Sequence, residues 1–563
     1  MRVRNRILIT IALLILLGGV ATILRLKRLP PEEATDALSR LQEHRYDHKE
    51  KESATADLVK LGDAAYPALA EALKSKDSAF DTKYTVWRSK LPPDLQGVFP
   101  ERPSKTDLRR AIASSIHNMG PAASRALLGA IEYALEPSQD LANMETLRAL
   151  SWSIPESPKA VQILSNWLAN PKPGLPLFGM MDAREIWPQV PHLAPLLPAW
   201  LKLADTTAEA AEALSLMGTN AAFAIPLLIQ VVEDGVAGGS QNAVLHMAYT
   251  PELEKNVLSV NKAAGLAALG QLGVATPEVL ETLRRASTND SPLLRATAAN
   301  ALGDLGAGAL PALPHLLAHL DKKNNLVLRY QLEAVGNIGP GAKEAVPVLV
   351  RFSDQAVASS IPEGPELGRV VRWFSEPLPL HLAAAVSLGQ VDPQAAKPVL
   401  PRIAGAFETF LPSNTIVRLR PLRADLLPLL EPKLKNGGIA GGALLAFQLL
   451  VLDPQNASAL DLLKREMRAD RDFQLRSTAA RWYFHATRNT VPALEVFRET
   501  LTEVKDLNSQ TPLTLVRELG PAARPLAPQV APLLQHENRI MRMLAGKALR
   551  SIAPEAMPPI REE

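Results

Sequence analysis

The sequence predicts an all-α fold: an α-solenoid of stacked helical hairpins following one N-terminal transmembrane helix. Apolar residues recur at helical spacings from Pro30 onward, while alternating β-branched runs are scarce. Glycine pairs return every 33 residues through the middle of the chain. Near the start, an unbroken apolar run from Ile7 to Leu24 lies between basic flanks.

The first element is that run. Residues 1–6 form a basic head with Arg2, Arg4 and Arg6, and residues 7–24 are the expected membrane span. At about 1.5 Å per residue, its 18 residues cover roughly 27 Å, the thickness of a bilayer core. Residues 25–52 follow as a basic stop (Arg25, Lys27, Arg28) and a juxtamembrane helix. Gly19-Val20-Ala21 offers a cleavage site, so the segment reads as a signal anchor or as a signal peptide. Either way, the basic head stays cytoplasmic and the body is expected to be extracytoplasmic, in the periplasm of a bacterial envelope.

Charge and composition bound the rest. The chain has 563 residues, 47% of them hydrophobic, which is too long for one ordinary core and too apolar for a disordered tail. With no cysteine, disulfides, thiolate metal sites, iron–sulfur clusters and cysteine nucleophiles are excluded together. The net charge of +3 divides unevenly, because residues 1–28 hold six bases and no acid. The remaining 55 bases face 58 acids, a net of −3, so the body has no global attraction for nucleic acid.

The body, residues 53–563, is expected to be the solenoid. Three stretches read Ala-Ala-Leu-Gly-Gln-Leu-Gly (267–273), Asn-Ala-Leu-Gly-Asp-Leu-Gly (300–306) and Glu-Ala-Val-Gly-Asn-Ile-Gly (333–339). Gly270, Gly303 and Gly336 step by 33, as do Gly273, Gly306 and Gly339. The second glycine of each pair supplies the left-handed residue that ends a helix. Prolines eight residues on (Pro226 after Gly218, Pro314 after Gly306, Pro347 after Gly339, Pro528 after Gly520) open the next helix, in whose first turn a missing N–H costs nothing. Each unit is thus a helical hairpin. Such hairpins bury their faces only by stacking, which predicts a curved rod with exposed ends and Glu32 to Lys60 capping one of them.

The segment Asn337 to Leu349, with its Ile-Gly-Pro-Gly turn and following Val-Pro-Val-Leu helix, resembles a HEAT repeat of the short bacterial type seen in phycobilisome-lyase-like proteins. Similar turns occur at Leu61-Gly62-Asp63, Met119-Gly120-Pro121, Met217-Gly218-Thr219, Leu388-Gly389-Gln390 and Leu519-Gly520-Pro521. The resemblance is strongest over residues 257–354 and implies an α-solenoid; it implies no chemistry.

Four stretches interrupt the repeat, at 83–103, 171–191, 233–255 and 359–379, and three of them carry a tryptophan: Trp87, Trp187 and Trp373. Tryptophan is over-represented among binding hot spots, so these three are the candidate partner-binding residues. Against that, a large aromatic commonly tacks its own loop to the core.

Other motifs carry less. His44/His48 and His315/His319 have the i,i+4 spacing of a zinc pair, without the glutamate of HExxH or a third ligand. Gly437 to Gly442 lacks the preceding strand of a dinucleotide loop and reads as an interhelical turn. Ser259 and Lys262 match the spacing of a serine–lysine acylase without its companion motifs. The basic runs Arg418–Lys435 and Lys464–Arg481 are diluted by acids and read as solvated helix faces.

No catalytic, cofactor-binding or metal-binding residue is therefore assigned. The function expected is a membrane-tethered, non-catalytic HEAT-type scaffold that holds protein partners on its concave face and insertions, contacts lipid through residues 7–24, and binds no nucleic acid. A lyase-type or hydrolytic enzyme with a groove active site, or a structural envelope spacer, are the alternatives. Converging carboxylates with shifted pKa values would favour the enzyme.

Overall fold

The structure, a computed structural model, describes residues 32–43, 48–75, 77–96, 105–135, 142–155, 157–171, 186–203, 206–236, 251–361, 378–408, 411, 413–436, 439–468, 473–502, 510–536, 538–553 and 556. Among the described residues every regular element is an α-helix or a 3₁₀ turn. The chain divides into two compact units: unit 1 comprises residues 1–160, 530–550 and 554–563, and unit 2 comprises 161–529 and 551–553.

The 33-residue repeat is clearest in unit 2. Helices α9 (Pro251–Gln271), α11 (Pro292–Asp304), α13 (Asn325–Ile338) and α15 (Leu380–Val391) stack one on the next, with α10 (Pro277–Ala286), α12 (Leu313–Ala318) and α14 (Val346–Phe352) as the returning arms. The turn between arms is the same at four left-handed glycines that a proline follows eight residues on. Gly218, Gly306, Gly339 and Gly520 have φ of 61°, 57°, 83° and 60°. Each opens a seven-residue 3₁₀ turn, after which Pro226, Pro314, Pro347 and Pro528 stand in the first turn of the next helix. Side-chain caps add to this: Asn324 Oδ1 accepts from Val327 N at 3.1 Å to start α13.

The first glycines of each pair have a different task, which periodicity alone does not reveal. A Cβ on Gly270 would lie 2.5 Å from Ala301 Cα, one on Gly303 3.1 Å from Ala334 Cα, and one on Gly336 2.5 Å from Ser387 Oγ. Residues 301, 334 and 387 occupy one register, so the extra 20 residues between Gly336 and Gly389 are inserted without shifting the stack.

Unit 1 begins with α1 (Glu32–Glu43) and α2 (His48–Leu61), packed together with Ala34, Ala37, Leu41 and Leu58 buried. Arg40 Nη2 donates to Asp57 at 2.6 Å across that hairpin. The expected juxtamembrane helix is therefore part of the array, and the boundary drawn at residue 53 falls inside α2. Next come α3 (Tyr66–Lys74), α4 (Ala79–Ser89), α5 (Lys105–Met119), α6 (Pro121–Ala126), α7 (Leu128–Ala134) and α8 (Ala142–Ser151). The stretch from residue 83 to 89, expected to be irregular, continues the helix α4.

Two expectations are corrected. The single-pass membrane localisation, with a cytoplasmic N-terminus and an extracytoplasmic body, is not upheld, because no described helix is long and apolar enough to cross a membrane. The longest, α9, carries Glu252, Glu254, Lys255 and Lys262; the run 7–24 lies outside the described residues. The second concerns α18 (Arg539–Ile552), the last helix among the described residues, expected near an exposed end. Its residues up to Arg550 belong to unit 1 and pack on the first repeats there. Arg542 donates from Nε and Nη2 to Asn118 O at 3.1 and 2.8 Å.

Candidate partner-binding surface

The three tryptophans singled out by sequence have separate fates. Trp373 lies outside the described residues. Trp187 is only 3% exposed; it starts a short 3₁₀ turn, Trp187–Gln189, packed on the helix Thr207–Leu216. It anchors its own segment, as large aromatics commonly do. Trp87 differs, remaining 45% exposed near the C-terminal end of α4.

Helix α4 owes its position to local chemistry. Ser78 caps it, accepting from Asp81 N at 3.1 Å and donating to Asp81 Oδ2 at 2.5 Å. Asp77, just before the cap, accepts from Lys105 N at 2.6 Å and from Thr106 Oγ1 at 3.3 Å, so the chain leaving α3 is tied to the start of α5. Between these tied ends α4 presents Phe80, Tyr84 and Trp87 at i, i+4 and i+7, on one helix face. Their ring centroids are 6.2 Å apart (Phe80–Tyr84) and 5.8 Å apart (Tyr84–Trp87). Phe80 is 60% exposed and Val86 50%. No residue of α4 is buried, whereas neighbouring α3 buries Tyr66, Ala68, Leu69 and Leu73. The face is rimmed by the exposed bases Lys83 and Lys90. Arg88 turns away from that rim, donating to Gln96 O at 3.1 Å.

The other motifs resolve structurally. His315 and His319 stack with centroids 4.1 Å apart. His315 Nδ1 lies 3.4 Å from Arg284 Nη1, and His319 Nδ1 lies 2.8 Å from His315 O. Burial, His319 and Arg284 hold His315 below its ordinary pKa. Among the described residues no group of three His, Asp or Glu could hold a metal. His44 and the side chain of His48 lie outside them. Ser259 and Lys262 sit on α9, where Lys262 Nζ donates to Glu233 O at 2.8 Å. Of the glycine cluster, read as an interhelical turn, Gly437 and Gly438 lie outside the described residues, while Gly441 and Gly442 belong to the first turn of the helix Ile439–Leu452. The basic runs are spent locally: Arg420 donates to Val451 O, Lys433 to Glu408 and Arg481 to Glu518.

Unit 2 also holds two carboxyl groups that sequence reading missed. Protein bulk around Asp304, at the end of α11, pushes it up to about 6 against the opposing charge of Arg418. Burial pushes Glu333, in α13, up to about 7, although it accepts a hydrogen bond from Leu378 N and feels Arg329. They do not share a position: in the 33-residue register Asp304 matches Asn337 and Glu333 matches Asn300. Asn300 Nδ2 donates to Asp304 Oδ2 at 3.1 Å, and Arg418 donates to Asn337 Oδ1. Their surroundings come from neighbouring repeats, so the pattern of one repeat gives no sign of them.

These features define an all-helical solenoid with one exposed aromatic helix face. A family profile for HEAT repeats matches residues 253–336, the stretch of strictest periodicity. No curated protein matches the chain. Solved structures similar to it include a crystal structure of an engineered protein (15% identity, 82% of this chain and 100% of that one, TM-score 0.26). Yeast importin-beta, Kap95p, is similar at 12% identity over 90% of this chain and 77% of that one, with a TM-score of 0.32. A mutant of Kap121p is similar at 11% identity over 92% and 71%, with a TM-score of 0.36.

Proposed function

We propose that this chain is a non-catalytic scaffold of HEAT type that binds a protein partner through the exposed face of α4. The observation that carries the proposal is Phe80, Tyr84 and Trp87 aligned on one helix face, with Phe80 and Trp87 about half exposed or more. Contiguous apolar surface kept in water is costly, and a rimmed aromatic patch is a common mark of an interaction site. The partner that fits is an amphipathic helix whose apolar stripe covers the three rings and whose acidic flank meets Lys83 and Lys90.

The test is photo-crosslinking from Val86 in the full chain, in its native cells. The expected product joins α4 to a partner peptide with acidic residues beside an apolar stripe. Combining Phe80→Ala with Trp87→Ala should weaken that capture by roughly 30-fold, the worth of a hot spot of about 2 kcal/mol. Equal capture with and without the rings would remove the proposal.

An acid–base enzyme is the second reading, and Asp304 and Glu333 are the observation that favours it, since carboxyls titrating near neutrality suit proton transfer. No histidine or nucleophile joins them in the contacts described above. A turnover assay would have to lose its signal in both Asp304→Asn and Glu333→Gln to support this reading.

A further inference from the structure

We propose that unit 2 carries a binding site for a free α-amino acid, held as its zwitterion between the guanidinium of Arg418 and the carboxylate of Asp304. These two charges are brought together by the stacking of repeats, and each is hydrogen-bonded to a neutral amide instead of to the other.

The geometry starts from the repeat. Asp304 closes α11, and Asn337 occupies the same position of α13, 33 residues on. One turn before Asp304 stands Asn300, whose Nδ2 donates to Asp304 Oδ2 at 3.1 Å. Beyond α15 comes the helix Ser413–Arg418, and the two leucines that follow it, Leu419 and Leu422, lie against Gly389: a Cβ there would fall 3.2 Å from Leu419 Cδ2 and 2.6 Å from Leu422 Cδ1. From this helix Arg418 reaches back 81 positions, past α15, to donate to Asn337 Oδ1. The other end of the same amide lies against α11, because a Cβ on Gly303 would fall 3.0 Å from Asn337 Nδ2. One amide side chain thus separates Arg418 from the residue that precedes Asp304.

What this arrangement leaves open decides the ligand. Arg418 and Asp304 attract each other through space, with no hydrogen bond between them. Among the described residues, Arg418 Nε and Nη2 and Asn337 Nδ2 remain as donors, while Asp304 Oδ1 and Asn300 Oδ1 remain as acceptors. A ligand whose carboxylate meets Arg418 and Asn337, and whose ammonium meets Asp304 and Asn300, satisfies both sets with charge-assisted hydrogen bonds. An α-amino acid carries those two groups on one carbon. A lone anion would be repelled by Asp304 and a lone cation by Arg418, so the pair selects a molecule that has both charges.

The surroundings favour such a ligand. Asp304 and Arg418 are exposed, yet protein bulk surrounds both, as on the wall of a groove. That bulk pushes Asp304 up to about 6 even against the charge of Arg418, so an ammonium set on the carboxylate makes good the hydration it has lost. The C-terminal carbonyls of α11, the negative end of its dipole, add to the attraction. The site belongs to unit 2 and α4 to unit 1, so it stands or falls apart from the docking face of α4.

The test is isothermal titration of the full chain with glycine at about pH 7.5, where Asp304 is ionised. The expected result is one glycine per chain, bound roughly tenfold or more tighter than acetate or methylamine, each of which offers one of the two charges. Asp304→Asn and Arg418→Met should each weaken glycine roughly tenfold or more at unchanged helical circular dichroism. Arg418→Lys, which keeps the charge and loses the planar fork, should weaken it less than Arg418→Met. A wild-type chain that binds no glycine would overturn the site. So would acetate bound as tightly as glycine, or glycine binding that survives both Asp304→Asn and Arg418→Met.

Discussion

Gly270 and Gly273 stand three residues apart and serve unrelated ends. Gly273 has φ of 71° and no atom within 4 Å of where a methyl would stand, so alanine there meets only backbone strain. Gly270 is helical, and a methyl would meet the Ala301 backbone at 2.5 Å, forcing two repeats apart. In urea unfolding of the full chain, Gly273→Ala should cost about 1–2 kcal/mol and Gly270→Ala about 2–3 kcal/mol despite its gain in helix propensity. A second test at this scale is Glu333. Its seated pKa, about 7, lies above the ordinary 4.5, so its contribution is full below pH 4.5 and is lost as pH rises through 7. Glu333→Gln should therefore leave stability unchanged at pH 4 and raise it by roughly 1–3 kcal/mol at pH 8, read by thermal melts at both pH values. Trp187 and Trp87 carry the same contrast between look-alike residues. Trp187→Ala should destabilise the fold by about 3–5 kcal/mol, while Trp87→Ala should leave the melting temperature nearly unchanged.

At the scale of the element, the hairpin is set by a left-handed glycine, a 3₁₀ turn and a proline, all local features, and for that reason they are legible without knowledge of any contact. The joints between hairpins are less local. Helix α16 (Phe473–Thr487) meets α17 (Gln510–Leu519) through Glu518, which accepts from Arg481 at 2.9 and 3.1 Å and lies 2.7 Å from His485 Nε2. Burial would raise Glu518, but the hydrogen bond from His485 and the charge of Arg481 bring it below the ordinary carboxylate value. A depressed pKa stabilises above the ordinary value, 4.5, and the gain is lost as pH falls through the folded value. Glu518→Gln should thus cost about 1–2 kcal/mol at pH 7 and almost nothing near pH 3, as measured by urea midpoints. The stretch 83–103 is expected to interrupt the repeat, yet its first part, residues 83–89, continues the helix α4 that the Ser78 cap and the Asp77 tie hold in place.

At the scale of the whole molecule, α18 belongs to the same compact unit as α5 and Trp152, although it stands near the other end of the sequence. Removing residues 539–563 should raise amide exchange about tenfold or more in α5 and around Trp152, which are some 400 residues away in sequence, and leave α11 and α13 unchanged. Unchanged exchange in α5 would mean that α18 contributes nothing to unit 1.

The sequence by itself determined the helical class, the 33-residue hairpin, the left-handed glycines and the proline-led returning arms. Each of these depends on residues within one unit, so periodicity and turn chemistry suffice. Only the tertiary structure decided that Gly270, Gly303 and Gly336 are points of closest approach, that Trp187 is buried and Trp87 is not, that Asp304 and Glu333 titrate near neutrality, and that α18 seats on α5 and α6. Those outcomes depend on which surfaces meet across repeats or across hundreds of residues, and a one-dimensional pattern of apolar and polar positions carries no record of that meeting.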